Sequence, residues 1–340
     1  MTSTFKLSAS ALETVFAALG TGGWRILGPT EQDGRVELHE VKSPSQVAGQ
    51  YLQSTLSAKE MVFPKVERLL SYKMSPGQVD LKDHEPDLQP TVLFGARPCE
   101  AAGFGVLDKV FNWDSRDKLF SERQQHLTVI GLSCTHADDA CFCTSVGGGP
   151  GSTRGSDMLL TPLPEGGYLA EVLTAKGEAI QALAPAVFEP VDGVDKEALL
   201  AKVEPAFDRE ELSAKLPGLF TSDLWAEQSL RCVGCGACAF VCPTCACFDI
   251  QEEADTKQGQ RLRLWDSCGL RQFTLHASGH NPRNIQAERW RQRIYHKFSY
   301  FPKRFGEAMC VGCGKCTRAC PVDMNLKDHL GQASGAPDHG

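Results

Sequence analysis

The first part of the chain alternates short apolar runs with turn residues. Residues 8–19 place apolar side chains at helical spacing, so we predict an amphipathic helix there. Residues 24–29 and 36–41 flank a cluster of turn residues at 31–34, and this arrangement predicts a β-hairpin. The pattern therefore indicates a helix followed by a pair of antiparallel strands.

Two further apolar runs, at residues 91–97 and 126–132, are rich in residues that favour strands. A helical pattern around residues 101–111 separates them. Because a strand, a helix and a second strand follow one another, we predict parallel strands in an α/β sheet. A second hairpin is predicted at 158–163 and 168–173, a short helix at 176–183, and a charged, partly helical connection at 191–225.

A cysteine pattern occurs twice in the second half of the chain. Residues 232–243 and 310–321 both read CxxCxxCxxxCP. This is the spacing of bacterial ferredoxins with two iron–sulfur clusters, in which the fourth cysteine of each run binds the other cluster. We therefore expect two [4Fe–4S] clusters with crossed ligand sets. One set is Cys232, Cys235, Cys238 and Cys320, and the other is Cys310, Cys313, Cys316 and Cys242.

Zinc sites and disulfide bonds are the simpler explanations for so many cysteines. Structural zinc is usually held by two separate pairs of thiols, whereas these runs have four thiols with glycine inside and proline after them. Residues 1–6 do not open a secretory signal pattern. We therefore favour clusters, and we expect reduced thiols in the cytoplasm.

Composition indicates an ordinary globular protein of about two domains, with 340 residues of which 42% are hydrophobic and 23% charged. No apolar run approaches the roughly 20 residues of a membrane span, and the net charge of −7 argues against general nucleic-acid binding. We expect an α+β or α/β domain at 1–220, a mostly helical dicluster ferredoxin-like domain at 221–330, and a disordered tail at 331–340.

A third group of cysteines is expected at one edge of the predicted sheet. Cys99 follows the first parallel strand and Cys134 follows the second, and the carboxyl ends of such strands meet at one edge. Cys141 and Cys143 lie in the loop that comes next. Four converging thiols are enough for a third iron–sulfur cluster, which we favour over the alternative that they are small buried hydrophobic residues.

Three thiols, Cys245, Cys247 and Cys268, remain outside these sets. Cys242 and Cys245 also match the CxxC spacing of redox dithiols, but the ferredoxin spacing takes precedence because it accounts for seven other cysteines. Three roles stay open for the remaining thiols. They pack around the clusters, bind an extra metal completed by a non-cysteine ligand, or react with a substrate.

A long insert separates the two cysteine runs, and its second half, residues 283–304, is basic. Apolar residues at 285, 290, 294, 298 and 301 are compatible with one helical face. We predict that the cations form an outer face that docks an acidic electron-transfer partner, with a solvated charged surface as the alternative. The cations are Arg283, Arg289, Arg291, Arg293, Lys297, Lys303 and Arg304, against the single acid Glu288.

Taken together, several segments resemble the iron–sulfur beta subunit of sulfhydrogenases and the corresponding subunit of anaerobic sulfite reductase. The resemblance implies an electron carrier between a subunit that binds flavin and NAD(P) and a catalytic partner, which is either a nickel–iron hydrogenase or a sirohaem sulfite reductase. The segments are residues 95–100, 134 with 141–145, 242–249, 265–268, 279–281 and 295–298.

We therefore expect an electron-transfer subunit of a cytoplasmic multi-subunit oxidoreductase, rather than its catalytic subunit. The chain has no GxGxxG fingerprint at a strand-to-helix turn, so we do not expect it to bind NAD or FAD itself. Two other functions remain open. One is a cluster-fed reductase in which Cys245, Cys247 or Cys268 attacks a disulfide or polysulfide, and the other is an assembly scaffold with structural clusters.

Overall fold

Two β-sheets and a set of mostly short helices form the computed structural model, which describes residues 3–86 and 88–337. The strands are β1 Ser3–Leu7, β2 Arg25–Gln32, β3 Arg35–Glu40, β4 Val66–Ser75, β5 Gln78–Asp83, β6 Thr91–Ala96, β7 Leu127–Leu132, β8 Met158–Pro162, β9 Tyr168–Val172, β10 Glu189–Pro190, β11 Phe248–Ala254 and β12 Gln258–Trp265. The α-helices are α1 Ala9–Thr21, α2 Pro98–Phe111, α3 Lys118–His126, α4 Ala175–Leu183, α5 Arg209–Lys215, α6 Leu224–Ser229, α7 Ala237–Phe240, α8 Gln286–Tyr295, α9 Phe301–Phe305, α10 Lys315–Arg318 and α11 Leu326–Gly335. A π-helical turn at His296–Tyr300 joins α8 to α9.

The larger sheet has eight strands in the order β10-β1-β9-β8-β7-β6-β2-β3. Its centre is parallel, because β2 pairs with β6, β6 with β7, and β7 with β8 in the same direction. The helix α2 connects β6 to the helix α3 that precedes β7, so the predicted strand–helix–strand unit is confirmed. Both predicted hairpins are confirmed as well, as β2–β3 and β8–β9.

Helices cover both faces of this sheet. Along β6, Val92 and Phe94 point into the core formed with α1 and α4, while Leu93 points into the core formed with α2. All six residues of β6 are buried, which explains why its sequence is a continuous apolar run. The expected fold class is confirmed, with mixed sheets and helices in the N-terminal part and mainly helices around the cysteine runs.

The smaller sheet was not predicted from the sequence. Its four strands lie in the order β11-β12-β4-β5, and all neighbours are antiparallel. Two of these strands come from residues 66–83 and two from the first half of the insert, residues 248–265. The domain division after residue 220 stays a prediction, but this sheet joins strands from both sides of it.

A buried ion network fixes the smaller sheet to the rest of the structure. The fully buried carboxylate of Glu67 on β4 pairs with Arg263 on β12 and with Arg123 on α3. Arg263 donates from Nε to Glu67 Oε2 at 2.7 Å and also pairs with Asp117 at the start of α3. The two guanidinium groups share one buried carboxylate. Loss of Glu67 would therefore remove a counter-charge from both arginines at once.

The C-terminal helices pack around a core that contains Trp225 and Tyr295. We predicted a disordered tail at 331–340, and this is wrong for residues 331–335, which form the end of α11. Leu330 and Ala333, three positions apart on this helix, are both fully buried in the same core. The prediction gave weight to glycine and serine content and missed these two contacts. Residues 338–340 lie outside the described residues.

None of the helices in the described part of the chain is long and apolar enough to cross a bilayer.

The Glu67 network should dominate the stability of the smaller sheet. We expect Glu67→Ala to destabilise the protein by about 3–5 kcal/mol, because it takes the shared carboxylate away from the buried guanidinium group of Arg263 and from the largely enclosed one of Arg123. Glu165→Ala is the matched control, since Glu165 pairs with Lys6 at the exposed surface. It should leave the urea midpoint nearly unchanged, as exposed pairs usually do. Equal midpoint shifts in urea unfolding, followed by circular dichroism, would contradict the proposed role of the network.

Candidate iron–sulfur sites

The first thiol group contains the cysteines that we assign to one ferredoxin-type cluster. Its members are Cys232, Cys235, Cys238 and Cys320. All four line one cavity, together with Cys316, whereas Cys242 is not among the described residues that line it. The structure therefore brings the fourth cysteine of the second run to the first loop, which is the arrangement that crossed ligand sets require.

Glycines allow the loop of the first thiol group to fold back on itself. Gly234 and Gly236 have φ values of +66° and +77°, a conformation that residues with a Cβ rarely adopt. Nitrogen donors then reach the sulfur atoms from outside the loop. Gln286 Nε2 donates to Cys232 Sγ at 3.1 Å, and the backbone N–H of Met324 donates to Cys320 Sγ at 3.3 Å. Such donors orient metal-ligating side chains and tune the bound metal.

The second thiol group is buried. Its members are Cys242, Cys310, Cys313 and Cys316. Burial raises the pKa of Cys310 to about 12, with Lys297 opposing the rise and the Cys242 thiol adding to it. Burial is also the main cause of the raised pKa of Cys313 and of Cys316, and Cys242 contributes to both. Cys242 is therefore a neighbour of all three thiols, and metal binding here would have to release protons.

The third thiol group lies where two parallel strands end. Its members are Cys99, Cys134, Cys141 and Cys143. Cys99 is in the first turn of α2 directly after β6, and Cys134 follows β7. Burial raises the pKa of Cys143 to about 11, and the thiols of Cys134 and Cys141 add to the rise. Burial followed by the Cys134 thiol also raises the pKa of Cys99. The structure thus brings together the four thiols that the sequence placed at this edge.

Two side chains bridge the second and third thiol groups. Gln53 Nε2 donates to Cys99 Sγ at 3.3 Å and to the Cys313 carbonyl at 2.7 Å. Arg318 donates to the same carbonyl at 2.8 Å and to Cys141 Sγ at 3.2 Å. Neither residue was predicted from the sequence, because Gln53 reaches Cys99 and Arg318 reaches Cys141 over long separations along the chain, and no local pattern marks such contacts. The two thiol groups are adjacent in space.

The two groups also touch through their backbones. A Cβ on Gly312 would lie 2.5 Å from the backbone nitrogen and Cα of Cys143, far inside any normal contact. The N–H of Phe142 donates to the Gly312 carbonyl at 2.9 Å. Gly314 approaches the backbone of Ala140 in the same way, with 2.5 Å between a built Cβ and the carbonyl oxygen. The second cysteine run therefore packs directly onto the loop of the third thiol group.

The basic helix does not present the cationic outer face that we predicted. Arg289, Arg293 and Lys297 are only 9%, 4% and 3% exposed. Arg293 Nη1 lies 3.5 Å from Cys245 Sγ, and Lys297 Nζ lies 3.5 Å from Cys242 Sγ. The docking prediction is wrong for these three side chains because all are buried, and Arg293 and Lys297 face thiols inside the protein. Periodicity located the helix correctly but did not show that cations, as well as apolar residues, lie on its inner face.

Lys59 is a further buried cation in this region. Its ammonium donates to the Cys245 carbonyl at 2.9 Å and lies 4.0 Å from the centre of the Trp265 ring. Within residues 3–86 and 88–337, no carboxylate lies within salt-bridge distance of Lys59, Arg293 or Lys297. Buried charges are normally paired or associated with metal sites. Arg293 and Lys297 face thiols, and Lys59 contacts the backbone carbonyl of Cys245, so the region fits thiolate-bound, anionic clusters.

The pKa of Lys297 also reflects its position beside thiols. Burial by itself lowers the pKa of a lysine, but the neighbouring thiols of Cys242 and Cys245 outweigh burial and raise the pKa of Lys297. Lys297 also donates to the Met309 carbonyl at 2.8 Å, which holds the ammonium in place. It is therefore a fixed positive charge beside the second thiol group.

The three thiols outside these groups lie close to them. Cys245 is buried, and the neighbouring Cys242 thiol, together with burial, raises its pKa. The Cys268 thiol in turn lowers the pKa of Cys247, which makes these two thiols neighbours as well. Among the described residues, no group of three or more histidine, cysteine, aspartate or glutamate side chains is arranged to hold a single metal ion. That finding concerns mononuclear sites, because a four-iron cluster is larger and holds its ligands further apart.

Comparison with known proteins agrees with this geometry. Residues 231–324 match the model of the 4Fe-4S dicluster domain. Sulfhydrogenase 2 subunit beta of Pyrococcus furiosus is 30% identical to this chain over 306 residues, which cover 88% of this chain and 89% of that protein. The chain belongs to the family of sulfhydrogenase beta subunits. The resemblance predicted from the sequence is thereby confirmed, and the dicluster domain supports two [4Fe–4S] clusters and a role in iron–sulfur electron transfer.

The contact at Gly312 gives a direct test of the packing between cysteine loops. We expect Gly312→Ala to lower the iron content by about one cluster, roughly 4 iron atoms per chain, because the new methyl group forces the loops apart. Gly306→Ala is the matched control, since Gly306 also has positive φ but nothing lies within 4 Å of its built Cβ. Iron is measured after anaerobic reconstitution. Equal iron contents in the two variants would show that the close approach is not needed.

The charge of Lys297 should raise the potential of the cluster that we assign to the second thiol group. A hydrogen bond to a charged group contributes about 1.5–3 kcal/mol, which for a one-electron couple is roughly 60–130 mV. We expect Lys297→Met to lower the midpoint potential by that amount, because the reduced cluster carries one more negative charge. Lys303→Met, on the exposed part of α9, is the control. Redox titration followed by electron paramagnetic resonance measures both, and equal shifts would refute the assignment.

Proposed function

We propose that this chain is the electron-transfer subunit of a multi-subunit oxidoreductase in the cytoplasm. It passes electrons between a subunit that binds flavin and NAD(P) and a catalytic partner. The relative from Pyrococcus furiosus is named as a sulfhydrogenase subunit, and this name favours a hydrogenase as the partner. The resemblance to the corresponding subunit of anaerobic sulfite reductase supports a sulfite reductase as the second candidate.

One observation carries the proposal, namely that the three thiol groups are neighbours in series. Cys316 of the second thiol group lines the cavity of the first. Cys99 of the third thiol group is a neighbour of Cys313 of the second, and Gln53 contacts both. A [4Fe–4S] cluster supplies one-electron redox chemistry when bound. Three such sites in contact provide a path through the protein.

We assign one [4Fe–4S] cluster to the first thiol group and one to the second, with the fourth ligands exchanged between the two cysteine runs. The cavity that contains Cys320 but not Cys242 supports this assignment. We assign a third iron–sulfur cluster to the third thiol group. Its support is the convergence of four thiols at the sheet edge and the donors Gln53 and Arg318, which reach two of the sulfur atoms.

The protein's own residues would set the conditions for electron transfer. Burial of the second thiol group keeps water away, and the fixed charges of Arg293 and Lys297 favour the reduced state. The two ends of the series are more accessible. Cys235 of the first thiol group is exposed, and Cys141 of the third is partly exposed. We assign the contacts with the two partner subunits to these ends.

Iron content and electron uptake test the proposal together. The anaerobically reconstituted full chain should hold roughly 12 iron atoms and accept about three electrons from dithionite, one for each cluster. The double variant Cys134→Ser with Cys141→Ser should hold roughly 8 iron atoms and accept about two electrons. Cys245→Ser is the matched control. It removes a buried thiol that we do not assign as a ligand, so both values should match the parent chain.

The outcomes separate the parts of the proposal. An iron content of roughly 8 in the parent chain would exclude the third cluster but leave the ferredoxin-type pair in place. Clusters that are present but accept no electrons from dithionite would exclude the electron-transfer function and favour the assembly scaffold.

A further inference from the structure

Gln286, the first residue of α8, directs its amide group at the first thiol group. Its Nε2 donates to Cys232 Sγ at 3.1 Å, and its side chain lines the same cavity as the four cysteines of that group. The cysteine loop approaches closely, since a Cβ on Gly234 would lie 3.3 Å from Gln286 Oε1. The helix α8 therefore begins directly beside the loop that the first cysteine run forms.

Arg289 contacts the other end of this amide. Its Nε and Nη2 both donate to Gln286 Oε1, at 3.0 Å and 2.7 Å. The two residues are three positions apart on α8, and residues at this spacing are neighbours on the helix surface. A guanidinium group presents its donors in a planar fork, so two of its nitrogens can donate to one oxygen atom. The amide oxygen thus faces Arg289, while the amide nitrogen faces Cys232.

The guanidinium group of Arg289 is itself held in place. Its Nη1 donates to the backbone carbonyls of Arg283 and Asn284, each at 2.9 Å, and the side chain is buried. Glu288, the acid in the first turn of α8, accepts from the N–H of the N-cap residue instead. In the part of the chain that the structure describes, no carboxylate lies within salt-bridge distance of Arg289. Carbonyl oxygens therefore set its position.

Both neighbours of the Gln286 amide require the same orientation. Turning the amide by half a turn would place its NH2 group against the donors of Arg289 and its oxygen against the sulfur of Cys232. Two donors would then face each other on one side, and two acceptors on the other. Hydrogen-bond partners of this kind decide how an amide is oriented. The N–H group of Gln286 therefore stays directed at the sulfur while Arg289 occupies its place.

We propose that Arg289 is a positioning residue that raises the midpoint potential of the cluster assigned to the first thiol group. It acts through Gln286, whose N–H it keeps directed at Cys232. A reduced cluster carries one more negative charge than an oxidised one, and hydrogen bonds to its sulfur atoms are among the factors that set the potential. The donor therefore stabilises the reduced state more than the oxidised state. The proposal rests on the proposed function for the assignment of this cluster.

The affected cluster lies at one end of the series of thiol groups. Cys235 of the same group is exposed, and a contact with a partner subunit is assigned to this end. The pair of Arg289 and Gln286 therefore adjusts the driving force for electron exchange with that partner. Lys297, in contrast, lies beside a sulfur of the second thiol group. Different residues of the insert thus act on different clusters.

Loss of the donor is the first test, made on the anaerobically reconstituted full chain. In Gln286→Leu the ratio of reduced to oxidised first cluster at a fixed potential should fall about tenfold, the size expected for one hydrogen bond to a charged group. For a one-electron couple this equals about 59 mV. Redox titration followed by electron paramagnetic resonance measures the shift, and iron is determined on the same samples. Lys297→Met should move a different signal, which distinguishes the two clusters.

A double-mutant cycle tests the role of Arg289. Arg289→Lys keeps the positive charge but loses the planar fork of donors to the Gln286 oxygen, so the potential of the first cluster should fall here too. The same substitution made in Gln286→Leu should cause no further fall, because Arg289 acts through that amide. Arg291→Lys is the matched control on the same helix. Arg291 donates to the Phe220 carbonyl at 2.9 Å, so its replacement should leave the potential unchanged.

Three results would contradict these expectations in different ways. An unchanged potential in Gln286→Leu, or an equal effect of Arg289→Lys with and without the Gln286 amide, would overturn the proposal and leave the proposed function in place. Loss of roughly 4 iron atoms from Gln286→Leu would also overturn it, because the amide would then be needed to bind the cluster rather than to tune it. A parent chain without ferredoxin-type signals would exclude the proposed function, and this proposal with it.

Discussion

Charge compensation around buried sulfur is the interaction on which the rest of the structure depends. Lys59, Arg293 and Lys297 are buried and face thiols or carbonyl groups. A buried cation without a counter-charge is strongly unfavourable, and so is a buried anionic cluster. The cations lower the free energy of placing thiolates in the interior, and the thiolates lower the free energy of burying the cations. Metal binding and correct packing of this region are therefore coupled.

Close backbone contacts and bridging side chains fix the relative positions of the cysteine loops. The loop around Gly312 touches the backbone of Cys143 so closely that no side chain fits between them. Arg318 and Gln53 then bridge the two loops through hydrogen bonds to sulfur and carbonyl groups. The Glu67 network performs a comparable task for the smaller sheet, where it ties β4 and β12 to α3. Packing of the N-terminal and C-terminal parts thus places the third thiol group next to the second.

The sequence was sufficient where the fold depends on local patterns. Continuous apolar runs predicted the parallel strands, and the rule for strand ends brought Cys99 and Cys134 to one edge. The smaller sheet escaped prediction because its outer strands are exposed along their whole length, and because its pairing joins residues 66–83 to residues 248–265. Helical periodicity located the basic helix but gave no sign that Arg293 and Lys297 point inward. Their partners are thiols about 50 residues away, at Cys245 and Cys242, and such pairings are set by tertiary packing.

The role of the long insert follows from these contacts. An insert between two cysteine runs at first suggests a peripheral decoration, since two-cluster binding needs only the runs themselves. Here its first half completes the sheet that the Glu67 network anchors, and the ends of that hairpin carry Cys247 and Cys268. Its second half places Arg293 beside the sulfur of Cys245 and Lys297 beside the sulfur of Cys242. The insert is therefore part of the interior of the cysteine-binding region. Changes in it should act first on the environment of the sulfur atoms, and only indirectly on the outer surface.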